Sequence, residues 1–266
     1  MSLLARLESI ISGYSSAVVA LSGGVDSALV AAVAARVLGD RAVAVTALSP
    51  TLPEAEAATA VEVARLVGIT HQLVSADELS SEGYRRNAGD RCYFCKSELF
   101  RLTEHVRAAR MFAVVADGTL PEDLTGHRPG LRAASEHQVH HPLVEAGATK
   151  DEVRAAARSL GLPVWDKPSF ACLGSRFPRG TEVTLDKVRR VGAAEAVARS
   201  LGLGQVRVRW HEVGTDVLAR VEVVESEFSR FADPGVRNAV VRACKDAGFR
   251  WVTVDLVGYG QTASVS

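Results

Sequence analysis

The sequence predicts an α/β protein: a doubly wound parallel sheet followed by a smaller C-terminal α+β domain. Three observations predict it. Short apolar runs alternate with amphipathic runs from the N-terminus to about residue 165, the pattern of a parallel sheet with helices on both faces. A glycine-rich turn, Ser22-Gly23-Gly24-Val25-Asp26-Ser27, separates an apolar run from a long helical run, at the strand-to-helix turn where such sheets hold ligands. The segment 165–180, WDKPSFACLGSRFPRG, is rich in Pro and Gly and has neither helical nor strand period, so it reads as a junction. The expected domains are therefore 1–166 and 167–266, with a cysteine-bearing loop, 167–180, between them.

Taken in order, a helix is expected over Ser2–Ser12, an amphipathic stretch. The apolar runs Ala17–Leu21, Ala42–Leu48, Thr70–Val74 and Phe112–Ala116 are expected strands. Between them, Ser27–Leu38, Pro53–Val67 and Cys95–Ala109 carry the helical pattern. Lys150–Leu160 does so as well, opened by Thr149 and Asp151 and closed by Gly161 and Pro163, which are ordinary start and stop signals. In the tail a helix is expected over Thr184–Leu201, with Leu185, Val188, Val191 and Val197 as its apolar positions. Val206–Trp210 and Val217–Val224 alternate as a hairpin would. A helix over Gly235–Ala247 and a strand over Trp251–Leu256 complete the tail.

Composition bounds the function. Hydrophobic residues make up 47% and charged residues 23%, as in ordinary globular proteins. Formal net charge is zero, which speaks against a molecule that binds nucleic acid through its overall field. No run reaches the roughly 18 apolar residues of a membrane span. The N-terminus is amphipathic and charged, unlike a signal peptide. Four cysteines without a secretory signal lead us to expect the reducing cytoplasm, where Cys-x-x-Cys serves metals or redox chemistry more often than a structural disulfide.

The turn Ser22–Ser27 has the makings of an anion site. Gly23 and Gly24 allow a phosphate to approach the backbone, and the following helix directs its N–H groups and dipole there. Ser22 and Ser27 offer hydroxyls, and Asp26 can hold Mg²⁺ against phosphates. The turn matches neither the Walker pattern nor the dinucleotide fingerprint. Ser49 and Asp117-Gly118-Thr119 follow later strands and reach the same end of the sheet.

Other candidates lie further along. Cys92 and Cys95, flanked by Arg91 and Lys96, are close enough to share a metal or cluster, and the cations favour the thiolate. Cys172 lies in the junction loop with Ser175 and Arg176 just after it, a setting for a nucleophile or a ligand. Cys244 sits in a helical run and reads as a core residue. Arg207 and Arg209 are two apart on a strand, hence on one face, and suit a phosphate or carboxylate. Glu195 and Glu222 lie on the elements before and after them.

Together these motifs resemble the ATP-dependent sacrificial sulfur transferase LarE family, of the PP-loop ATP pyrophosphatases. The resemblance rests on Ser22–Ser27, Ser49-Pro50 with Pro53-Glu54, Arg91–Lys96, Asp117-Gly118-Thr119 with Arg128-Pro129-Gly130, and His141–Gly147. It rests also on Trp165–Pro168, Ala171-Cys172-Leu173 with Ser175-Arg176, Arg207-Val208-Arg209 and Ala219–Glu222. It implies a Rossmann-like fold and an enzyme of nickel-pincer nucleotide biosynthesis, the cofactor of lactate racemase. The implied substrate is pyridinium-3,5-biscarboxylic acid mononucleotide, whose carboxylate is adenylated by ATP·Mg²⁺ with release of pyrophosphate. Sulfur then replaces AMP.

By the family's pattern Cys172 is the sulfur-bearing cysteine, and Ser22, Gly23, Gly24, Asp26, Ser27, Ser49, Asp117, Gly118 and Thr119 line the ATP site. Ser175, Arg176, Arg207 and Arg209 form the substrate cradle, and Glu195 and Glu222 bind a divalent metal. Cys92, Cys95 and Cys172 match a three-cysteine branch that holds a [4Fe–4S] cluster. The alternative is that Cys172 gives up its own sulfur and is left as dehydroalanine. A homo-oligomer is implied, with no membrane or nucleic-acid partner.

The chain departs from the pattern at Thr119–Asp123, at Gly126-His127, at His140-His141, at Arg179, and after Tyr259, where an Arg is missing. A cluster-dependent tRNA thiolase also combines a PP-loop with three cysteines, but the neutral charge and the lack of an RNA-binding extension speak against it. A non-catalytic nucleotide-binding module would leave Cys172 and the arginine pair without a task.

Overall fold

The computed structural model describes residues 1–125 and 128–259. The departures at Gly126-His127 and beyond Tyr259 lie outside the described residues. The chain forms two compact units, residues 1–84 with 88–170, and residues 85–87 with 171 onward. The break falls between Phe170 and Ala171, inside the Pro/Gly-rich segment, rather than after residue 166. Residues 85–87 join the second unit because Asn87 Nδ2 donates to the Pro178 and Thr181 carbonyls, and the Gly180 N–H donates to Asn87.

In chain order the first unit contains α1 (Leu3–Ser12), β1 (Ala17–Ala20), α2 (Val25–Leu38), β2 (Ala42–Leu48), α3 (Glu54–Val67) and β3 (Thr70–Ser75). Then come α4 (Glu82–Arg86, ending in the second unit), α5 (Arg91–Arg110), β4 (Val114–Ala116), α6 (Pro129–Glu136), α7 (Pro142–Glu145) and α8 (Lys150–Ser159). The four strands form one parallel sheet in the order β3-β2-β1-β4. All four residues of β1 and the first five of β2 are buried. Strands covered on both faces need apolar residues at successive positions, which is why these runs are continuous rather than alternating. Helix α2 is buried along most of its length and packs with α1, α3 and α8. The connection reverses between β1 and β4, and the crevice at their carboxyl ends is where an open α/β sheet binds ligands.

Helix α5 begins at Arg91, four residues before the expected Cys95, so the whole Cys-x-x-Cys motif is helical. Helices α6 and α7 were not expected; each is short and starts on a proline, Pro129 and Pro142, the residue best suited to a first helical position.

The second unit contains α9 (Leu185–Ser200), β5 (Val206–Val213), β6 (Asp216–Val223), α10 (Pro234–Asp246) and β7 (Trp251–Val254). Its sheet has the order β5-β6-β7, with β5 antiparallel and β7 parallel to β6. Val206, Val208, Trp210, Ala219, Val221 and Val223 are buried on one face, and β5 packs with α9. Alternation puts Arg207, Arg209, Arg220 and Glu222 on the other. The strand pattern thus separates an apolar layer from a charged one.

Candidate functional site

The PP-loop turn follows β1 and closes on itself through hydroxyls. Ser27 Oγ accepts from the Ser22 N–H at 3.2 Å, lies 3.0 Å from Ser22 Oγ, and donates to the Gly24 carbonyl at 3.1 Å. Gly23 has φ +77°, and a Cβ there would lie 3.0 Å from the Glu56 carbonyl oxygen and 3.1 Å from the Ala60 nitrogen, so the position requires glycine on two counts. Gly118 brings the loop after β4 against the same turn. A Cβ on Gly118 would stand 2.5 Å from the Ser27 nitrogen. The two predicted nucleotide segments therefore meet at the N-terminus of α2.

Two lysines that were given no role among the expected site residues fasten this turn. Lys150 Nζ donates to both carboxylate oxygens of Asp26 at 2.7 Å. Lys167 Nζ donates to the Gly23 carbonyl at 3.1 Å and to Glu56 at 2.9 Å. Asp26, the expected Mg²⁺ ligand, is thus already compensated, and a cation arriving with phosphates would share its carboxylate with Lys150. A lysine at the first position of a helix otherwise sits unfavourably near the positive end of the dipole; that anomaly was the available signal for Lys150.

Asp117, buried behind the turn, accepts from the Thr119 N–H at 3.0 Å and the Thr119 hydroxyl at 2.9 Å, and its Oδ1 lies 2.7 Å from His141 Nδ1. Burial alone would raise its carboxyl, but His141, Lys96 and the Thr119 N–H together hold it below the usual carboxylate range. His141, one of the positions that depart from the family's pattern, is a partner that spacing did not reveal. Ser49 and Thr51 both donate to the buried Glu78, so Ser49 presents a carboxylate-polarised hydroxyl at the end of β2.

Cys92 and Cys95 lie in the first turn of α5, one exposed and one half-buried, at a spacing that puts both on one helix face. They offer two thiols of the three that the resemblance calls for; Cys172, half-buried, belongs to the second unit. Among the described residues, no group of three or more His, Cys, Asp or Glu side chains is gathered as a metal-ion site. The donor chemistry of the thiols suits iron and sulfur. Cys244 is a buried thiol whose pKa burial pushes up to about 11, as a core residue should behave.

Cys172 caps a short 3₁₀ turn, Leu173–Arg176. Arg176 shapes that turn from within. Its Nη1 donates to the Ala171 carbonyl at 2.9 Å, the Cys172 carbonyl at 3.3 Å and Ser175 Oγ at 2.8 Å. Its Nε and Nη2 donate to Glu195. Arg176 was expected in the substrate cradle; the structure buries it and commits it to the loop. Glu195 was expected to bind a divalent metal. Instead its oxygens accept from Arg176, from Arg199 at 2.5 Å and from the Val208 N–H at 2.9 Å, which leaves the carboxylate saturated. Buried next to two guanidiniums, it serves as their counter-ion.

Arg209 is also partly committed: its Nη1 donates to the Ser175 carbonyl at 2.6 Å, and its Nε lies 3.0 Å from Glu222. Burial lowers its pKa first of all, with Arg207 and Arg176 nearby acting in the same direction and Glu222 opposing. Arg220 also stands 3.1 Å from Glu222. These are ion-pair distances without hydrogen-bond alignment, and both Glu222 carboxylate oxygens are buried with no hydrogen-bond donor among the described residues. Glu222 therefore keeps lone pairs for a cation, although two guanidiniums compete with one. Arg207 differs from its neighbour. Among the described residues it is paired to no carboxylate, and its Nε is buried without a partner. Of the predicted arginine pair, it is the one open to an outside anion.

The NAD synthase family model matches residues 5–99, the stretch that includes the turn after β1. Over 91% of its length the chain is 44% identical to an uncharacterized protein of Synechocystis sp., covering 89% of that protein. Over an equal share it is 38% identical to the pyridinium-3,5-bisthiocarboxylic acid mononucleotide synthase of Lactiplantibacillus plantarum, covering 86% of it. It is also 32% identical to a glutamine-hydrolyzing GMP synthase of Thermomicrobium roseum, across 40% of that longer protein.

Proposed function

Because the chain belongs to the LarE family of pyridinium-3,5-bisthiocarboxylic acid mononucleotide synthases, we propose that it is an ATP-dependent sulfur transferase acting on pyridinium-3,5-biscarboxylic acid mononucleotide. A substrate carboxylate attacks the α-phosphorus of ATP·Mg²⁺, pyrophosphate leaves, and an acyl-adenylate remains. The step is needed because a carboxylate is a poor electrophile and AMP a good leaving group. The N–H groups at the start of α2 and the cation Lys150 supply the charge that pyrophosphate requires as it departs.

Sulfur enters through Cys172. Its thiolate attacks the acyl carbon and expels AMP, forming a thioester. Loss of the cysteine's α-proton and cleavage of its Cβ–S bond then release the thiocarboxylate and leave dehydroalanine. Arg176 and Glu195 hold the loop that carries this sulfur, and Arg207 receives the substrate's anionic group. A [4Fe–4S] cluster on Cys92, Cys95 and Cys172, when bound, would supply a transferable sulfide at its open iron and spare the protein; no step above depends on it. The protein is further proposed to act in the cytoplasm as a homo-oligomer. No described helix is long and apolar enough to cross a membrane.

The observation that carries this reading is the buried Arg176–Glu195 pair beneath Cys172, since a loop held so firmly serves a defined position for its thiol. The test is Cys172→Ala. Pyrophosphate release that depends on both ATP and the dicarboxylic nucleotide should persist, while thiocarboxylate formation disappears. Thiocarboxylate formed at the wild-type rate by this variant would end the assignment.

A further inference from the structure

We propose that Tyr259 is a substrate-binding residue that completes, with Arg207, a site for a phosphate monoester. The inference rests on the reading of Arg207 as the substrate's anion receptor and adds to it a second donor from the end of the described chain.

Arg207 Nη2 donates to Tyr259 Oη at 3.0 Å, and the Arg207 guanidinium carbon lies 4.2 Å from the centre of the Tyr259 ring. The tyrosine thus meets the arginine twice, through its π-face and through its oxygen. Its position is well defined. The Tyr259 N–H donates to the Val223 carbonyl at 2.9 Å, continuing along β6 beyond β7. Gly258 turns the chain there with φ +85°, and a Cβ would stand 3.2 Å from the same carbonyl oxygen.

The bonding that remains open points to a ligand. The phenol oxygen accepts from Arg207, so its own hydrogen is free to donate. Among the described residues Arg207 Nε is a buried donor without an acceptor, which is costly unless something fills the place. The other guanidiniums on this face have carboxylates within ion-pair distance: Arg209 has Glu222, and Arg220 has Glu222 and Asp255. Arg207 has none among the described residues, so the face carries a local excess of positive charge at Arg207. A tetrahedral dianion on Arg207 could accept from Nε, from a terminal nitrogen and from the tyrosine O–H together. A planar carboxylate offers two oxygens to the same three donors. A phosphate monoester of a mononucleotide is therefore the ligand class that fits best.

The experiment is calorimetric titration with nicotinic acid mononucleotide and, separately, with its dephosphorylated riboside, using ATP binding as a control. The proteins are wild type, Tyr259→Phe and Arg207→Ala. Tyr259→Phe keeps the ring on the guanidinium and removes only the hydroxyl. It should weaken the mononucleotide about tenfold, the loss of one hydrogen bond to a charged group, with riboside and ATP unchanged. Arg207→Ala should weaken the mononucleotide more. If Arg207→Ala weakens the mononucleotide but Tyr259→Phe does not, the role of Tyr259 is overturned while Arg207 keeps its own. Equal losses for mononucleotide and riboside in Tyr259→Phe would overturn it too, as the mark of a structural residue. If neither variant changes mononucleotide binding, the reading of Arg207 fails first and the inference with it.

Discussion

Arg176 and Glu195 form a two-point buried pair, Nε to Oε1 at 2.6 Å and Nη2 to Oε2 at 3.0 Å, with side-chain exposures of 2% and 0%. Through the third nitrogen of Arg176 this pair reaches the carbonyls before and after the Cys172 α-carbon, and so ties helix α9 to the sulfur-bearing loop.

Glu195→Ala should be strongly destabilising, by about 3 kcal/mol or more, because it leaves a guanidinium buried without a counter-charge. Joint replacement by Arg176→Met and Glu195→Leu should recover much of that loss. Sulfur transfer should stay impaired in the double variant, since the loop carbonyls lose their donor. Urea denaturation and a thiocarboxylate assay measure the two effects; a Glu195→Ala protein as stable as wild type would contradict the role given to the pair.

Gly118→Ala should damage the nucleotide site from behind. The new Cβ would need the space occupied by the Ser27 nitrogen at the start of α2. Overpacking of this kind costs about 1–3 kcal/mol. The readouts are a lower Tm and weaker ATP binding, with the second unit's response to mononucleotide retained.

Acid should remove the contribution of Asp117. Its folded pKa is depressed, so its stabilisation is fully present above the unfolded value of about 4 and is lost as pH falls through the folded value. Unfolding free energy measured between neutral pH and pH 3 should therefore drop more for wild type than for Asp117→Asn. Parallel curves for the two proteins would show that Asp117 does not titrate as stated.

Iron and acid-labile sulfide content after anaerobic reconstitution decides between the two sulfur sources. About four of each per chain, both lost in Cys92→Ser, would make cluster-bound sulfide the transferred sulfur and overturn the elimination at Cys172. Iron absent under conditions that load other cluster proteins would make Cys172 the donor, with one turnover per chain and a mass loss of one H₂S after reaction.

Much of the fold was legible in order along the chain. Strand β2 occupies Ala42–Leu48, as its apolar run indicates, because a strand buried on both faces is mostly apolar, and its one polar residue, Thr46, donates to the Leu21 carbonyl. The start of α5 was less legible: Arg91-Cys92-Tyr93 has little apolar periodicity, and Tyr93 is held instead by its bond to Glu136 at 2.7 Å and by Arg132 over its ring, partners on a helix far along the sequence. The turn Ser22–Ser27 was legible because glycine positions and a strand–helix junction leave a local mark.

What the sequence by itself determined is the local chemistry: a glycine turn for phosphate, a thiol in a Pro/Gly-rich loop, and arginines alternating on one strand face. These depend on residue identity and on periods of 2 and 3.6, which neighbours in the chain carry. Only the tertiary structure decided how each charge is used. Lys150 reaches Asp26 across 124 positions, His141 reaches Asp117 across 24, and Arg207 meets Tyr259 across 52. Arg176 and Arg209 looked alike as candidate anion receptors, yet one is sealed onto Glu195 and the other shares Glu222, while Arg207 has no carboxylate partner among the described residues. A charged side chain takes its role from what burial brings against it, and burial is set by packing among distant segments.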